Sequence, residues 1–350
     1  ARASPLIFFR KYRDFIIRPE NEGGPGFTQS KIDPCCFYKR GNCGDGSTHG
    51  LTEEPSIGNM KNSFGLVSAH VDDALLSFSN DQEGRRMRKD FEMKLFNEFN
   101  ASPEESSGDK IEYLSMLVQI DREKGSMTFR VPKLLRKLKQ MLEEIKNCRG
   151  AHPKGGKLKY PMNPYNQDIF EETSERNPIV PYTEYDSRSV LGLAAYIVLH
   201  TRPDCAYSTA VCARFSGCRN TENVVKAINH LAWYLIDTEE DHVLTFWKSE
   251  SSSGLNAFSD ASFANCPITR KSHYGYFLRY GENIFGWRSK LQSIPALSSR
   301  DSELIANVEC IKHLLGVRFF LCETGFLHDG PTPVRIDNKA SLEGIRNDKI

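Results

Sequence analysis

The sequence contains no apolar run approaching the ~18 residues of a membrane-spanning helix, and no signal-like segment precedes its first amphipathic stretch. It also lacks an excess of charge of either sign. Charged residues make up 26% of the chain, yet the formal net charge is only +1. This balance excludes a strongly basic nucleic-acid protein by composition, while leaving local basic patches open. None of the ten cysteines falls in a CxxC pair or at a Cys/His zinc spacing, and Cys35 and Cys36 are adjacent, which is not a zinc-ligand spacing either. Free thiols in a reducing compartment are the simplest reading, so a soluble intracellular chain is expected. No period of roughly 20–50 residues repeats, which excludes solenoids.

What is present suffices for packed cores: 39% apolar and 11% aromatic residues. At 350 residues the chain exceeds the roughly 250–300 at which a single core usually stops growing, so more than one domain is expected. A helix is expected from Pro5 to Ile17, a turn at Gly23-Gly24-Pro25-Gly26, and a strand after Asp33-Pro34. Residues 41–61, rich in Gly, Ser, Thr, Asn and Pro, read as a loop. Two apolar strands, Phe64–Val71 and Ala74–Phe78, flank Asp72-Asp73. Two acids side by side at a tight turn repel one another unless water or cations screen them, so both a solvated turn and a cation site suit the pattern. A helix over 81–99 carries Arg85, Arg86, Arg88 and Lys89. A strand pair over 110–119 and 126–131 precedes a clearly amphipathic helix over 132–146, whose Lys133, Arg136, Lys137 and Lys139 suit either solvent or a nucleic-acid backbone. Residues 149–181 read as a linker. Helical segments over 189–198, 206–215 and 224–237 follow, interrupted by Thr201-Arg202-Pro203-Asp204. Leu244–Trp247 is a short strand, and Ser249–Ser253 a flexible joint.

The stretch from Leu255 to Ile345 concentrates the chemistry. Its elements read strand, strand, strand, helix, strand, helix, with Tyr280-Gly281-Glu282-Asn283 as a hairpin turn. Asp260 closes the first strand. Glu303 opens a helix whose apolar stripe is expected to be Leu304, Val308, Ile311 and Leu315. Asp337 ends the last strand. Carboxylates gathered from separate elements are what a two-metal phosphoryl-transfer site needs. On spacing alone, ordinary caps and solvated termini fit equally well.

Several stretches, in order and over nearly the whole chain, resemble the copia-type retrotransposon polyprotein, from the later part of its reverse transcriptase through its RNase H domain. His70-Val71-Asp72-Asp73 resembles the polymerase signature. Gly26-Phe27, Asp33-Pro34 and Phe37 are similar to the segment upstream of it, and Phe91-Glu92-Met93 and Tyr113-Leu114 to positions downstream. Tyr185 through Gly192, Tyr196, Thr201 through Asp204 and Ala206-Tyr207 resemble the connecting segment. Phe258 through Ala261, Arg270-Lys271-Ser272, Gly275-Tyr276, Trp287 through Gln292, Ala296 through Ser298, Glu303, Ile305-Ala306 and Asp337 through Ser341 resemble the RNase H domain.

The resemblance implies an α+β or α/β chain. A partial reverse-transcriptase palm would occupy 1–125, a thumb-like helix 126–150, a linker 151–184 and a helical connection 185–250. An RNase H-like domain with a mixed sheet would occupy 253–350. It implies RNA-directed DNA synthesis and hydrolysis of RNA in RNA–DNA hybrids, with Asp72 and Asp73 at one site and Asp260, Glu303 and Asp337 at the other. Each site would hold two Mg²⁺ or Mn²⁺ ions. Arg270 and Lys271 would contact nucleic-acid backbone, and Asn338 the 2′-hydroxyl. The partners implied are RNA template, DNA primer, dNTPs, RNA–DNA hybrid and other Gag and Pol products of the element, with no membrane. The implied location is a cytoplasmic virus-like particle and the nucleus.

The chain departs from the pattern in places. His70 stands where an aromatic residue is usual, Leu114-Ser115-Met116 departs from Phe-Leu-Gly, and the 42–59 loop reads as an insertion. The family's upstream catalytic aspartate and fourth nuclease acid have no counterpart in these residues, so this stretch by itself is expected not to polymerise. A catalytically dead or host-adopted remnant that binds only nucleic acid or protein is the alternative.

Overall fold

The computed structural model describes residues 5–41, 63–71, 73–100, 109–145, 149–153, 156–163, 168–217, 219–248, 254–327, 330–339 and 342–343. The expected 42–59 insertion, Asp72, the Ser249–Ser253 joint and most of the last helix lie outside them. The chain divides into two compact units, one of residues 1–113, 249–254 and 313–331, the other of 114–248, 255–312 and 332–350. These boundaries differ from the five segments read from the sequence.

In the first unit, α1 (Pro5–Ile17) and α2 (Gln82–Phe99) accompany an antiparallel sheet in the order β1 (Thr28–Gln29), β2 (Cys36–Arg40), β3 (Phe64–His70), β4 (Asp73–Phe78). Strand β3 alternates as a half-buried strand should, with Gly65, Val67 and Ala69 turned inward. The core is aromatic: Phe15 meets Phe99 edge-on at 5.3 Å and Phe27 meets Phe91 at 5.3 Å, arrangements favoured by the ring quadrupole. Helix α2 is capped by Asp81, whose side chain accepts from the Gly84 amide at 2.7 Å. Gly84 is required there, because a Cβ would lie 2.1 Å from the Ser79 carbonyl oxygen.

The expected 110–119 strand is broken. Leu114 and Ser115 both take positive φ, 49° and 63°, so β5 (Lys110–Tyr113) and β6 (Met116–Asp121) are separate strands. Two successive left-handed residues are the conformation of a tight two-residue turn, for which Asn and Gly are the usual choices. Leu-Ser carries no such signal.

The second unit holds β6, β7 (Ser126–Arg130) and β8 (Leu244–Trp247) in one antiparallel sheet. Its helices are α3 (Pro132–Glu143), α4 (Ser187–Thr201), α5 (Ala206–Phe215) and α6 (Glu222–Asp237). Helix α3 starts on Pro132, buries Leu135, Leu138 and Leu142 and turns its four basic residues outward. Residues 149–181 are not a free linker: Leu158, Met162, Ile169 and Val180 are buried in the helical core. Polar anchors fix this irregular backbone. Trp233 donates to the Gly150 carbonyl at 2.8 Å, Asn229 to Ala151 at 2.7 Å, and Asn220 to Val180 and Tyr185 at 2.8 and 3.0 Å. Its proline, glycine and charge content concealed four widely spaced apolar residues that each find a pocket.

The break between α4 and α5 is held by an ion pair whose guanidinium is buried and whose carboxylate reaches solvent. Arg202, 4% exposed, grips Asp204 through two hydrogen bonds of 2.9 and 2.7 Å and donates to Thr238 Oγ1 at 2.8 Å. Burial pushes the Asp204 carboxyl up, but Arg202 outweighs it and leaves the pKa below the ordinary value. Asp204→Ala removes the carboxylate from a buried guanidinium that keeps Thr238 Oγ1 and the Leu235 carbonyl, a loss of about 1–3 kcal/mol. Denaturant unfolding at neutral pH is expected to show a loss of that order. Because the Asp204 pKa is depressed, the pair's contribution is present above the ordinary carboxylate range and disappears as pH falls through the folded value.

Candidate metal centre

A second sheet of the second unit carries the chemistry. Strands β9 (Leu255–Ser262), β10 (His273–Tyr280) and β11 (Asn283–Leu291) form an antiparallel meander, and β12 (Val334–Arg335) adds to β9 in parallel. The order is β11-β10-β9-β12. A parallel neighbour needs a crossover, and α7 (Ser299–Thr324) lies within it, between β11 and β12. Strands β9 and β12 therefore run side by side in the same direction. Asp260 near the end of β9 and Asp337, two residues beyond β12, come out at the same edge.

The buried face of α7 is not the expected stripe. Val308 and Leu315 are exposed and Leu304 and Ile311 only half-buried, whereas Glu303, Ala306, Asn307, Cys310 and Leu314 are buried. Within the second unit the reason is the sheet face beneath the helix. The face carrying Tyr274 and Tyr276 is already bulky, and the helix approaches closely enough for the Cys310 thiol to donate to the Phe258 carbonyl at 3.9 Å. Small residues fit that approach; branched ones do not. Glu303 lies on this buried side because it is three and seven residues ahead of Ala306 and Cys310.

Two polar contacts fix the start of α7. Ser298 accepts from the Asp301 amide at 3.1 Å, as an N-cap does. Gln292, 2% exposed, donates to the Ser302 carbonyl at 2.8 Å while its own amide donates to Ser272 at 2.9 Å. Gln292 is thus a positioning residue for the turn that bears Glu303. Only the packing shows this, since nothing in its spacing marks it.

Asp260, Glu303 and Asp337 each present a carboxylate oxygen within 4.8 Å of the others. Among the described residues this is the only such group of three. Asp260 and Asp337 are exposed; Glu303 is 6% exposed. One oxygen of Glu303 accepts a long 3.4 Å hydrogen bond from the Ala261 amide, and the other is buried without a hydrogen-bond partner. Burial, then Asp260, then Asp337 push its pKa up to about 7. A buried carboxylate with an unsatisfied oxygen facing two more carboxylates is unfavourable alone and favourable around a hard divalent cation. The donor set fits Mg²⁺ or Mn²⁺: oxygen only, anionic, and open to water on the side of the two aspartates.

The other expected site residues are differently placed. Asp73 is the exposed first residue of β4, paired in register with His70, and Asp72 lies outside the described residues. Val71 before them takes φ 56°. Arg270 is exposed on a loop at φ 54°. Lys271 is engaged, its ammonium donating to the Ser293 carbonyl and tying two loops together. Asn338 is half-buried and its carbonyl accepts from the Leu342 amide, as at a helix start.

No family model matches the chain. The chain is similar to the retrovirus-related Pol polyprotein from transposon TNT 1-94 of Nicotiana tabacum, 25% identical over 347 residues, which is 99% of this chain and 23% of that protein. It is also similar to the transposon Ty1-JR1 Gag-Pol polyprotein of Saccharomyces cerevisiae, 24% identical over 318 residues, 82% of this chain and 16% of that protein. The truncated transposon Ty1-A Gag-Pol polyprotein of the same yeast is 24% identical over 318 residues, 24% of its length. The relatives are retrotransposon Pol polyproteins, and the chain spans less than a quarter of the length of the first two.

The raised Glu303 pKa fixes the sign of two pH effects. Binding of a divalent cation must displace the Glu303 proton, so calorimetric Mg²⁺ or Mn²⁺ affinity is expected to fall as pH drops below about 7. Without metal the effect of Glu303 itself reverses: its folded pKa lies above the unfolded one, so protonation relieves repulsion, a gain from pH 8 to pH 6 that opposes the loss from the Cys266 thiol over the same range and is read as the melting-temperature difference from Glu303→Gln. Glu303→Gln should mimic that gain at pH 8 while losing metal binding.

Proposed function

We propose that the chain is a reverse transcriptase–RNase H portion of a retrotransposon Pol polyprotein and that the second unit hydrolyses the RNA strand of RNA–DNA hybrids. The observation that carries this reading is the convergence of Asp260, Glu303 and Asp337 on one sheet edge, with the Glu303 carboxylate buried and partly unsatisfied. The Pol relatives support it, as does the mixed sheet with its parallel last strand, an arrangement compatible with the RNase H fold.

Asp260, Glu303 and Asp337 would hold two Mg²⁺ or Mn²⁺ ions, which when bound supply Lewis-acid polarisation of a phosphodiester and a water of lowered pKa. The two exposed aspartates face the open side where a strand can arrive. Glu303 sits at the rear, and its position is set by the packing of α7 rather than by a flexible loop. Gln292 and Ser298 fix the turn that carries it, so the acids are organised before substrate binds. Arg270 would meet the backbone electrostatically. Asn338 would contact the ribose 2′-hydroxyl.

In the first unit, Asp72 and Asp73 are proposed as the polymerase carboxylates. Asp73 begins a strand of an antiparallel sheet and is solvent-exposed, which suits access by a primer and a triphosphate.

The test is cleavage of a labelled RNA–DNA hybrid by the 350-residue protein in Mg²⁺. Cleavage is expected to require the metal. Asp260→Asn should slow it by about two orders of magnitude or more, beyond the 10–100-fold typical of groups behind the ligands. An unchanged rate in Asp260→Asn would show that the acids are not the site. Tight hybrid binding without cleavage in either protein would favour the binding-only remnant.

A further inference from the structure

The loop between β9 and β10, residues 263–272, is closed by its own backbone and by one side chain. The Cys266 amide donates to the Lys271 carbonyl at 3.1 Å, and the Arg270 amide to the Cys266 carbonyl at 2.9 Å. The Ala264 amide donates to Ser272 Oγ at 3.0 Å. Left-handed backbone at Ala264 and Arg270, φ 47° and 54°, turns the chain back on itself. Cys266 is buried inside this turn, and donors from two elements converge on its sulfur. The Thr269 amide reaches Sγ at 3.4 Å, and Arg214 Nη2, from the last turn of α5, reaches it at 3.0 Å. Two aromatic rings flank that guanidinium, Phe215 at 5.3 Å and Phe170 at 5.9 Å. Backbone amides curled around one atom form the kind of nest that holds an anion, and an adjacent arginine favours thiolate over thiol.

We propose that Cys266 is the thiolate half of an ion pair with Arg214, and that this pair is a pH-sensitive latch fastening the β9–β10 loop to α5. The inference stands apart from the nuclease reading. Burial pushes the Cys266 thiol up, but hydrogen bonds from Thr269, Arg214 and the Ile268 amide outweigh it and bring the pKa down to about 7. Burial pushes Cys35, Cys36, Cys205, Cys212 and Cys310 the other way, and nothing reverses it there. The ionisable groups around the pair keep one charge state while the thiol titrates. From β10 comes His273, edge-on to Tyr207 of α5 at 4.8 Å and bonded to Ser289 Oγ at 2.9 Å. Burial and then Arg214 push its pKa down to about 4, so it is neutral. From the loop itself, the Lys271 ammonium is turned to the Ser293 carbonyl and Arg270 is exposed. Because the folded thiol lies below the ordinary one, the latch stabilises above the ordinary thiol range and fades as pH falls through about 7.

The test titrates thiolate ultraviolet absorbance in the 350-residue protein and in Cys266→Ser. Their difference is expected to be one thiolate with a midpoint of about 7. Arg214→Met should move that midpoint up by about 1–3 pH units, the range for a lost opposite charge. Melting temperatures are then compared at pH 9 and pH 6. Cys266→Ser should fall further below the unsubstituted protein at pH 9 than at pH 6. At pH 9 the double variant Cys266→Ser/Arg214→Met should lose less than the two single losses added together, since both remove one interaction. A difference spectrum with no thiolate below the ordinary thiol range overturns the proposal, as does a Cys266→Ser loss equal at the two pH values. Where Cys266→Ser does not fold, the lowest-titrating thiolate of the unsubstituted protein is followed instead, and a midpoint unmoved in Arg214→Met overturns the pair.

Discussion

Three carboxylates that repel one another are held together by the rest of the second unit, and that constraint organises its mixed sheet and the part of α7 that belongs to it. Folding can tolerate such a cluster only if the backbone leaves the side chains no room to separate. Two of the acids lie at the ends of neighbouring strands, where exposure to water limits the repulsion. The third is buried, and there desolvation is the larger part of the penalty. A side chain on a surface loop would swing away; Glu303 cannot, because the turn that bears it is fixed by Ser298 and Gln292 and followed by a tightly packed helical face. The strain is local and the packing that resists it is distributed.

The same logic explains the composition of α7. A helix chosen only for hydrophobic burial would turn Leu304, Val308, Ile311 and Leu315 to the sheet. Here Ala306 and Cys310 face inward, because two tyrosines already fill that side of the sheet and the helix must come close. The approach carries Glu303 to the sheet edge. The helix gives up apolar burial for proximity.

Much of the local structure was legible in the sequence. The ends of α1, α2 and α3 follow from Pro5, Asp81 and Pro132, and the β10–β11 hairpin from alternation around Gly281. Asp260, Glu303 and Asp337 could be singled out as acids at element ends, but spacing could not separate a metal site from ordinary caps. Their convergence depends on β12 lying parallel to β9, a non-local pairing. Three readings failed for physical reasons. Hydrophobicity points to Leu304, Val308, Ile311 and Leu315 as the stripe of α7, whereas closeness to the sheet decides it. Residues 149–181 read as a linker because turn-forming residues outnumber the four apolar anchors. The strand over 110–119 hid a turn because Leu114 and Ser115 adopt positive φ without the residues that usually announce it.

The two faces of the mixed sheet are built differently. Tyr274 and Tyr276 point toward α7 and set how near Glu303 can come. Phe258, Phe277 and Trp287 point the other way and leave a recess. Gly275 belongs to this second face, between Asp260 and Ser289. A side chain there would meet no steric obstacle, so folding does not explain why the position lacks one. An open site at the centre of a packed strand forfeits burial and weakens the strand. Such a position is informative because stability favours filling it.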